Sequence, residues 1–200
     1  NGMGKYYNYV VMNFDHTAIA RALSAISNDK LLLIYWNIQA DKASNYVFQD
    51  FGKAFYDSLT QAVDLFKKYK KIDFVYPDFT NHPWETVEFF KKFCADFNFK
   101  YEIITDPKKF NIEKEIAYIS VSDRILGYFL EQCKEKDLEP GKDVGFLSYN
   151  ETPMKKFIYK GISVVSTDFK EIGTKAAAFI THDEDTQCYV PTNLILRESL

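Results

Sequence analysis

Short apolar runs and amphipathic stretches alternate along the whole chain. Residues 30–38 and 116–121 are almost continuously apolar, which is typical of strands buried on both faces of a sheet. Residues 54–69 instead carry apolar side chains at helical spacing and end in lysines, which suit the negative end of a helix dipole. This alternation predicts an α/β fold in which parallel sheets are flanked by helices.

Turn-forming residues and changes of period set the bounds of the predicted elements. The predicted strands are 6–13, 30–38, 72–77, 101–105, 116–121, 144–149, 162–166 and 188–196. The predicted helices are 17–26, 54–69, 83–97, 124–136 and 172–181. Residues 39–45 are polar and are predicted to form a loop, and Pro140-Gly141 marks a turn.

Composition restricts the class of protein. A chain of 200 residues with 46% hydrophobic and 26% charged residues can bury one or two cores. The formal net charge of −3 does not indicate a large basic face for nucleic acid. No apolar run reaches the roughly 18 residues that a membrane span needs, and no signal peptide opens the chain. We therefore predict a cytoplasmic protein that does not contact a membrane.

The residues that usually carry catalysis or hold metals form no recognised pattern. Cys94, Cys133 and Cys188 are far apart and lack the spacing of a metal site, so they are predicted to be reduced, packed thiols without a bound metal or cofactor. The nucleophile elbow, the phosphate-binding loop, the zinc-protease motif and the dinucleotide fingerprint are all absent. We therefore do not predict an enzyme. The 17% aromatic content is mostly core, but aromatic faces also suit sugar binding.

Four segments of the second half follow one another in a familiar order. They are IAYISVSD (116–123), KDLEPGKDVGFLSYNETPMKKF (136–157), GISVVSTDFKEIGTKAAAFI (161–180) and VPTNLILRES (190–199). In this order they resemble the effector domain of the lactose-repressor (LacI/GalR) family, a sugar sensor built like a two-lobed periplasmic binding protein. The resemblance covers about residues 6–199 and is closest after residue 116.

The resemblance implies a periplasmic-binding-protein-like (type I) fold that is truncated at the N-terminus. Residues 1–45 and 167–185 would form the remnant of the N-terminal lobe, and residues 46–166 and 186–200 the C-terminal lobe. Two strand–helix units and the DNA-binding head would lie outside this chain. That head would be a helix-turn-helix of the lactose-repressor type or a winged helix of the GntR type. The helix at 83–97 looks more like a sensor helix of the GntR type of regulator.

Polar and aromatic residues stand at the predicted strand ends, where open α/β sheets bind ligands. Trp36 and Asn37 are at the end of one buried strand. They are candidates for an aromatic ring that stacks on a ligand and a polar side chain that hydrogen-bonds to it, although Trp36 could also be core. Phe14 and Asp15 close the preceding strand and are candidates of the same kind. All four are predicted to be ligand-binding residues.

Further candidates come from the resemblance. Asp123 matches an aspartate of the ligand cleft, and it is also well suited to cap the following helix. Asn150 matches the acidic residue that grips sugar hydroxyls; an asparagine can donate and accept hydrogen bonds at once, but it also suits a turn before Thr152-Pro153.

Three more positions are assigned in the same way, and one departs from the family. Phe169 matches an aromatic at the crossover between lobes, or is core, and Asp50 faces the cleft or caps a helix. Thr86 stands where the family places an arginine that clamps the sugar, so that clamp is absent. Trp84 or His82 then does different work near the ligand.

Together these features predict the ligand-sensing domain of a bacterial transcriptional regulator. Its partners would be a small-molecule effector, expected to be a sugar, DNA through the region outside this chain, and a second copy in a homodimer. The terminal segment 190–199 favours a regulator over the first rival, a periplasmic sugar-binding protein for transport or chemotaxis. The second rival, a doubly wound enzyme, would need a nucleophile or base that the sequence does not offer.

Overall fold

Two sheets, each with its own helices, organise the part of the chain that the structure describes. The computed structural model describes residues 5–13, 21–37, 45–182 and 185–200. Unit 1 consists of Asn1–Asp50 and Thr167–Pro191, and unit 2 of Phe51–Ser166 and Thr192–Leu200. The chain therefore crosses between the units three times. The predicted α/β class, with parallel sheets flanked by helices, is confirmed.

Unit 1 contains a parallel sheet of four described strands in the order β1-β2-β3-β9. These strands are β1 (Tyr9–Asn13), β2 (Leu31–Tyr35), β3 (Asn45–Gln49) and β9 (Gln187–Val190). The helix α5 (Phe169–His182) packs on one face of this sheet with its buried side chains Ile172 and Phe179. The other face carries a second apolar cluster around Leu33 and Phe48.

Unit 2 contains a six-stranded sheet in the order β10-β8-β7-β6-β4-β5. Its strands are β4 (Lys71–Val75), β5 (Tyr101–Ile104), β6 (Ile116–Ser120), β7 (Gly145–Tyr149), β8 (Ser163–Thr167) and β10 (Thr192–Ile195). The five strands from β8 to β5 pair in parallel. The sequence predicts β6, β7 and β8 well because these strands are buried on both faces, whereas β5, at the edge, exposes Tyr101 and Glu102.

Helices cover both faces of the unit 2 sheet. They are α1 (Lys53–Gln61), α2 (Val63–Phe66), α3 (Glu85–Asp96) and α4 (Asp123–Glu135). Phe55 of α1 and Phe90 of α3 pack against Phe74 on one face, with ring centroids 6.1 and 5.2 Å away. Phe129 of α4 packs against Phe146 on the other face, at 4.5 Å. The result is a three-layer sandwich of helices, sheet and helix.

The structure changes two of the predicted elements and adds one. The single strand predicted at 188–196 is wrong: β9 and β10 are separate, and Pro191 lies between them. The single helix at 54–69 is also wrong, because it is interrupted at Ala62 into α1 and α2. A strand at 45–49 was not predicted, since its polar ends hide the pattern.

Unit 1 includes both of these strands. Because β3 and β9 pair in its sheet, it extends to Asp50 and to Pro191. The predicted turn at Pro140-Gly141 is present, and Gly141 has a φ of 81°, which favours glycine.

None of the helices in the described part of the chain is both long and apolar enough to cross a bilayer. The longest, α5, has 14 residues.

Candidate functional site

The order of strands in unit 2 reverses direction between β4 and β6. The chain moves outward from β4 to β5 on one side, and from β6 through β7 to β8 on the other. In open α/β sheets, ligands bind outside the carboxyl ends of the strands at such a point. Tyr76, Val121 and Asn150 are the first residues after β4, β6 and β7. We call this region the carboxyl edge of unit 2.

A group of aromatic rings forms the floor of the carboxyl edge. The imidazole of His82 lies edge-on to Tyr149 and to Phe51, with ring centroids 4.5 and 5.0 Å away. Tyr149 also packs against Phe55, at 5.7 Å. Phe51, Phe55 and Tyr149 are buried, so these packed rings fix the position of the residues at the carboxyl edge.

Thr86 joins His82 to the start of unit 2. Its hydroxyl lies 2.8 Å from Nε2 of His82 and donates to the carbonyl oxygen of Phe51 at 3.2 Å. Because the hydroxyl proton goes to Phe51, the network assigns the imidazole proton to Nε2. Thr86 is fully buried, and its hydroxyl serves this internal network. Its contact with a ligand stays a prediction.

The surroundings of His82 keep its imidazole neutral. Burial of the ring lowers the pKa of His82 to about 3, because the aromatic neighbours cannot solvate an imidazolium ion. A neutral imidazole with a fixed tautomer offers hydrogen bonds and shape without charge.

Lys155 is the centre of the polar network at this edge, and the sequence did not point to it. Its side chain is only 1% exposed. The ammonium donates to the carbonyl oxygens of Tyr149 and Asn150, at 2.9 and 2.6 Å, and lies 2.7 Å from Oδ1 of Asp123. These three acceptors match the three protons of an ammonium group. Lys155 therefore connects the ends of β6 and β7.

Asp123 begins α4 but does not cap it. The residue at the cap position is Ser122, and Asp123 is the first residue inside the helix. The predicted capping role is therefore wrong. Its carboxylate, with a side chain that is 58% exposed, instead holds Lys155 and stays accessible at the carboxyl edge.

Asn150 combines an unusual backbone with a buried amide oxygen. Its φ is 61°, in the left-handed region that asparagine tolerates better than most residues. Its backbone N–H donates to the carbonyl oxygen of Val165 at 2.8 Å, which aligns the turn with β8. Among the described residues, however, its Oδ1 is buried without a hydrogen-bond partner. A buried acceptor of this kind calls for a ligand or a water.

Aromatic and cationic side chains border the same edge. Trp84 is 44% exposed, packs edge-on to Tyr76 at 5.1 Å, and donates from its indole N–H to Glu88 at 2.7 Å. The guanidinium of Arg124 lies 4.5 Å from the ring centroid of Phe79. These side chains place apolar surface beside the polar groups.

The candidates of unit 1 lie on its own sheet. Asn37 donates from its side-chain amide to the hydroxyl of Tyr189, a tyrosine that the sequence did not single out. Trp36 is half-buried, and the backbone N–H of Asp50 donates to Val190 at 3.4 Å. Phe169 opens α5 and is 46% exposed, so it is not a core residue.

The remaining candidates of unit 1, Phe14 and Asp15, lie outside the described residues.

The structure thus brings together part of the predicted set. Asp123 and Asn150 both contact the ammonium of Lys155, and Thr86 contacts His82. No local signal marked Lys155, because a lysine after a proline-containing turn looks like a surface residue. The expectation that residues of both lobes contact one ligand stays a prediction. In the described ranges, no group of three or more His, Cys, Asp or Glu side chains is placed to hold a metal ion.

No protein-family model matches the chain, and no curated protein matches it. Solved structures do match. The lactose repressor bound to the anti-inducer ONPF in its induced state aligns with a TM-score of 0.77 at 14% identity, covering 99% of this chain and 80% of that one.

Two other matches are of the same kind. A LacI family transcriptional regulator from Arthrobacter sp. FB24 has a TM-score of 0.72 at 12% identity, covering 95% of this chain and 77% of that one, and it was also solved in complex with lactose. The lac repressor dimer bound to operator and ONPF has a TM-score of 0.72 at 14% identity, with coverages of 98% and 74%. These likenesses confirm the predicted periplasmic-binding-protein-like fold.

Proposed function

We propose that this chain is the ligand-sensing domain of a bacterial transcriptional regulator and that it binds a small sugar. The observation that carries the proposal is the carboxyl edge of unit 2. There, the unsatisfied Oδ1 of Asn150 and the accessible carboxylate of Asp123 stand beside aromatic side chains. Fold alone does not determine function, so the chemistry of this edge has to agree with it.

The chemistry of the edge suits a neutral polyol. The amide of Asn150 accepts from one hydroxyl and donates to the next, and the carboxylate of Asp123 accepts from a third. Trp84 and Phe79 offer apolar faces to the C–H side of a sugar ring. Lys155 already has three acceptors for its three protons, so it has no proton left to donate to an anionic ligand. The absent arginine clamp gives this edge a different contact pattern from that of the resembled family.

The structural neighbours support the regulatory part of the proposal. They include regulators, one solved with lactose and one solved as a dimer on its operator, and these properties belong to those proteins. For the present chain we propose the same arrangement: a homodimer in the cytoplasm, with DNA bound through a helix-turn-helix or winged-helix region outside residues 1–200. Sugar binding shifts the dimer between two states of different DNA affinity, and no catalytic step is involved.

Thermal-shift screening against monosaccharides tests the proposal. A ligand that binds only the native state raises the melting temperature, by an amount that grows with concentration over Kd. We expect at least one neutral sugar to stabilise the protein, and expect the stabilisation to shrink in Asn150→Gly. Asn98→Gly is the matched control, because Asn98 also has a left-handed backbone, with a φ of 58°, and is an exposed asparagine outside the carboxyl edge. The absence of stabilisation by every sugar of the panel would contradict the proposal.

A further inference from the structure

A second polar groove lies on the α4 face of unit 2, toward the amino ends of its strands. It has a volume of about 500 Å³. Its floor is a row of three side chains in register, Glu102 of β5, Asp73 of β4 and Tyr118 of β6. The segment from Lys109 to Glu113 forms a wall. This volume lies within the range of small-molecule sites.

Asp73 places an unsatisfied carboxylate oxygen in this groove. The residue is 3% exposed, and its Oδ2 lies 3.0 Å from the ammonium of Lys71. Its Oδ1 is buried and has no hydrogen-bond partner among the residues that the structure describes. Burial raises the pKa of this carboxyl group, and the contact with Lys71 opposes the rise. A buried carboxylate oxygen is costly unless a donor reaches it.

The hydroxyl of Tyr118 cannot be that donor. It accepts from the backbone N–H of Glu113 at 3.0 Å and donates its own proton to the carbonyl oxygen of Asn111 at 3.4 Å. Lys71 is also occupied, because it bridges Asp73 and Glu102, at 3.0 and 2.8 Å. The backbone N–H of Glu102 also acts on the carboxylate. Because Oδ1 still has no hydrogen-bond partner among the described residues, it is left for a group that enters the groove.

Two lysines supply positive charge at the rim. Lys100 and Lys109 line the groove and are exposed. Within the described ranges, neither forms an ion pair, unlike Lys71. Two ammonium groups without a carboxylate partner suit an anion that carries about two charges, as a phosphoryl group does.

We propose that this groove binds a phosphorylated polyol, with a hydroxyl group donating to Asp73 and the phosphoryl group held by Lys100 and Lys109. The site is separate from the carboxyl edge and does not depend on the proposed function. It differs from that edge in its lysines, because Lys155 at the edge has an acceptor for each proton, whereas Lys100 and Lys109 form no ion pair among the described residues.

Calorimetric titration with glucose 6-phosphate tests this proposal, with glucose and inorganic phosphate as the two partial ligands. We expect glucose 6-phosphate to bind at least about tenfold more tightly than either, because it alone engages both Asp73 and the lysines. The double change Lys100→Ala/Lys109→Ala removes the cations from exposed positions and should weaken binding about tenfold or more. Lys134→Ala/Lys156→Ala, two exposed lysines outside the groove, should leave it unchanged.

Asp73→Val tests the buried acceptor, since a β-branched side chain suits a central strand. It should weaken glucose 6-phosphate binding about tenfold or more and leave the affinity for inorganic phosphate unchanged. The exposed lysine pair keeps the test decisive if Asp73→Val does not fold.

Three results would overturn the proposal. The first is the absence of glucose 6-phosphate binding at millimolar concentration, and the second is inorganic phosphate binding as tightly as the sugar phosphate. The third is binding that survives all three groove changes but is lost in Asn150→Gly. That result would place the ligand at the carboxyl edge, and it would support the proposed function while removing the groove.

Discussion

At the scale of single residues, Asn150 carries two demands at once. Its backbone needs a residue that accepts a φ of 61°, and its buried Oδ1 needs a donor. The sequence showed these as alternatives, a turn or a sugar contact. In the structure the backbone and the side chain meet the two demands separately, so a substitution can separate them.

Glycine and alanine at position 150 should differ in a defined way. Asn150→Gly keeps the left-handed backbone and removes the amide, so sugar affinity should fall by roughly 1–3 kcal/mol, about five- to more than a hundredfold, with little loss of stability. Asn150→Ala should lose the same affinity and, in addition, about 1 kcal/mol of unfolding free energy. Titration calorimetry and chemical denaturation measure the two quantities. Unchanged sugar affinity in Asn150→Gly would mean that Asn150 serves only the turn.

His82 makes stability depend on pH. Its pKa is about 3 in the folded protein and 6.5 in the unfolded chain, so below pH 6.5 the unfolded chain binds the extra proton. The contribution of neutral His82 to the free energy of unfolding is therefore complete above pH 6.5 and is lost as the pH falls toward 3. Between pH 7.5 and pH 5 the loss should be about 2 kcal/mol.

The pH effect is tested by urea denaturation at both pH values. His82→Gln keeps an amide donor near Thr86 but does not titrate, so the change in unfolding free energy between pH 7.5 and pH 5 should shrink by about 2 kcal/mol. His182→Gln, at an exposed histidine of α5, is the matched control and should keep the full pH dependence. Equal pH dependence in both variants would show that His82 titrates normally.

At the scale of elements, Lys155 holds two strand ends in position. Its ammonium connects the carbonyl groups that close β7 to the first residue of α4. Without it, two carbonyl groups lose their donor, and the end of β7 is no longer tied to α4.

Lys155→Met should lower the free energy of unfolding by roughly 2–3 kcal/mol, because buried acceptors are left unpaired while the methionine fills the space. Asp123→Asn should cost less than about 1 kcal/mol, since the carboxylate is exposed and solvated. Chemical denaturation of both variants provides the comparison. An equal loss in the two would mean that the ion pair, not the carbonyl contacts, carries the effect.

The same scale shows where sequence patterns are sufficient and where they are not. The strands and helices of unit 2 are predictable because their apolar periods are long and local. Residues 188–196 look like one strand, yet Pro191 divides it between two sheets, and no local pattern states which sheet a strand joins. Asp123 and Asn150 could be predicted from strand ends, whereas Lys155 could not, because its burial depends on residues from two other elements.

At the scale of the whole molecule, the charge bears on the choice of partner. The net charge of −3 gives little attraction to the phosphate backbone of DNA. We therefore expect residues 1–200 to show no sequence-selective operator binding, even at low salt, whereas the regulator that we propose, with its proposed DNA-binding region, should bind. Fluorescence anisotropy with labelled operator DNA measures both. Selective, salt-sensitive binding by residues 1–200 would place the DNA contact inside this chain.

The triple crossing between the units has a consequence for the order in which the protein can fold during synthesis. Unit 1 lacks the β9 edge of its sheet until residues 187–190 have been made. Unit 2 must wait longer, because the hydroxyl of Ser199 bonds the backbone of both Ser163 and Phe146. Both units therefore stay incomplete while the ribosome makes almost all of this chain, with the edge of β3 exposed to other nascent chains. Pauses near residue 186 should favour aggregation, and a chaperone should be needed most at that stage.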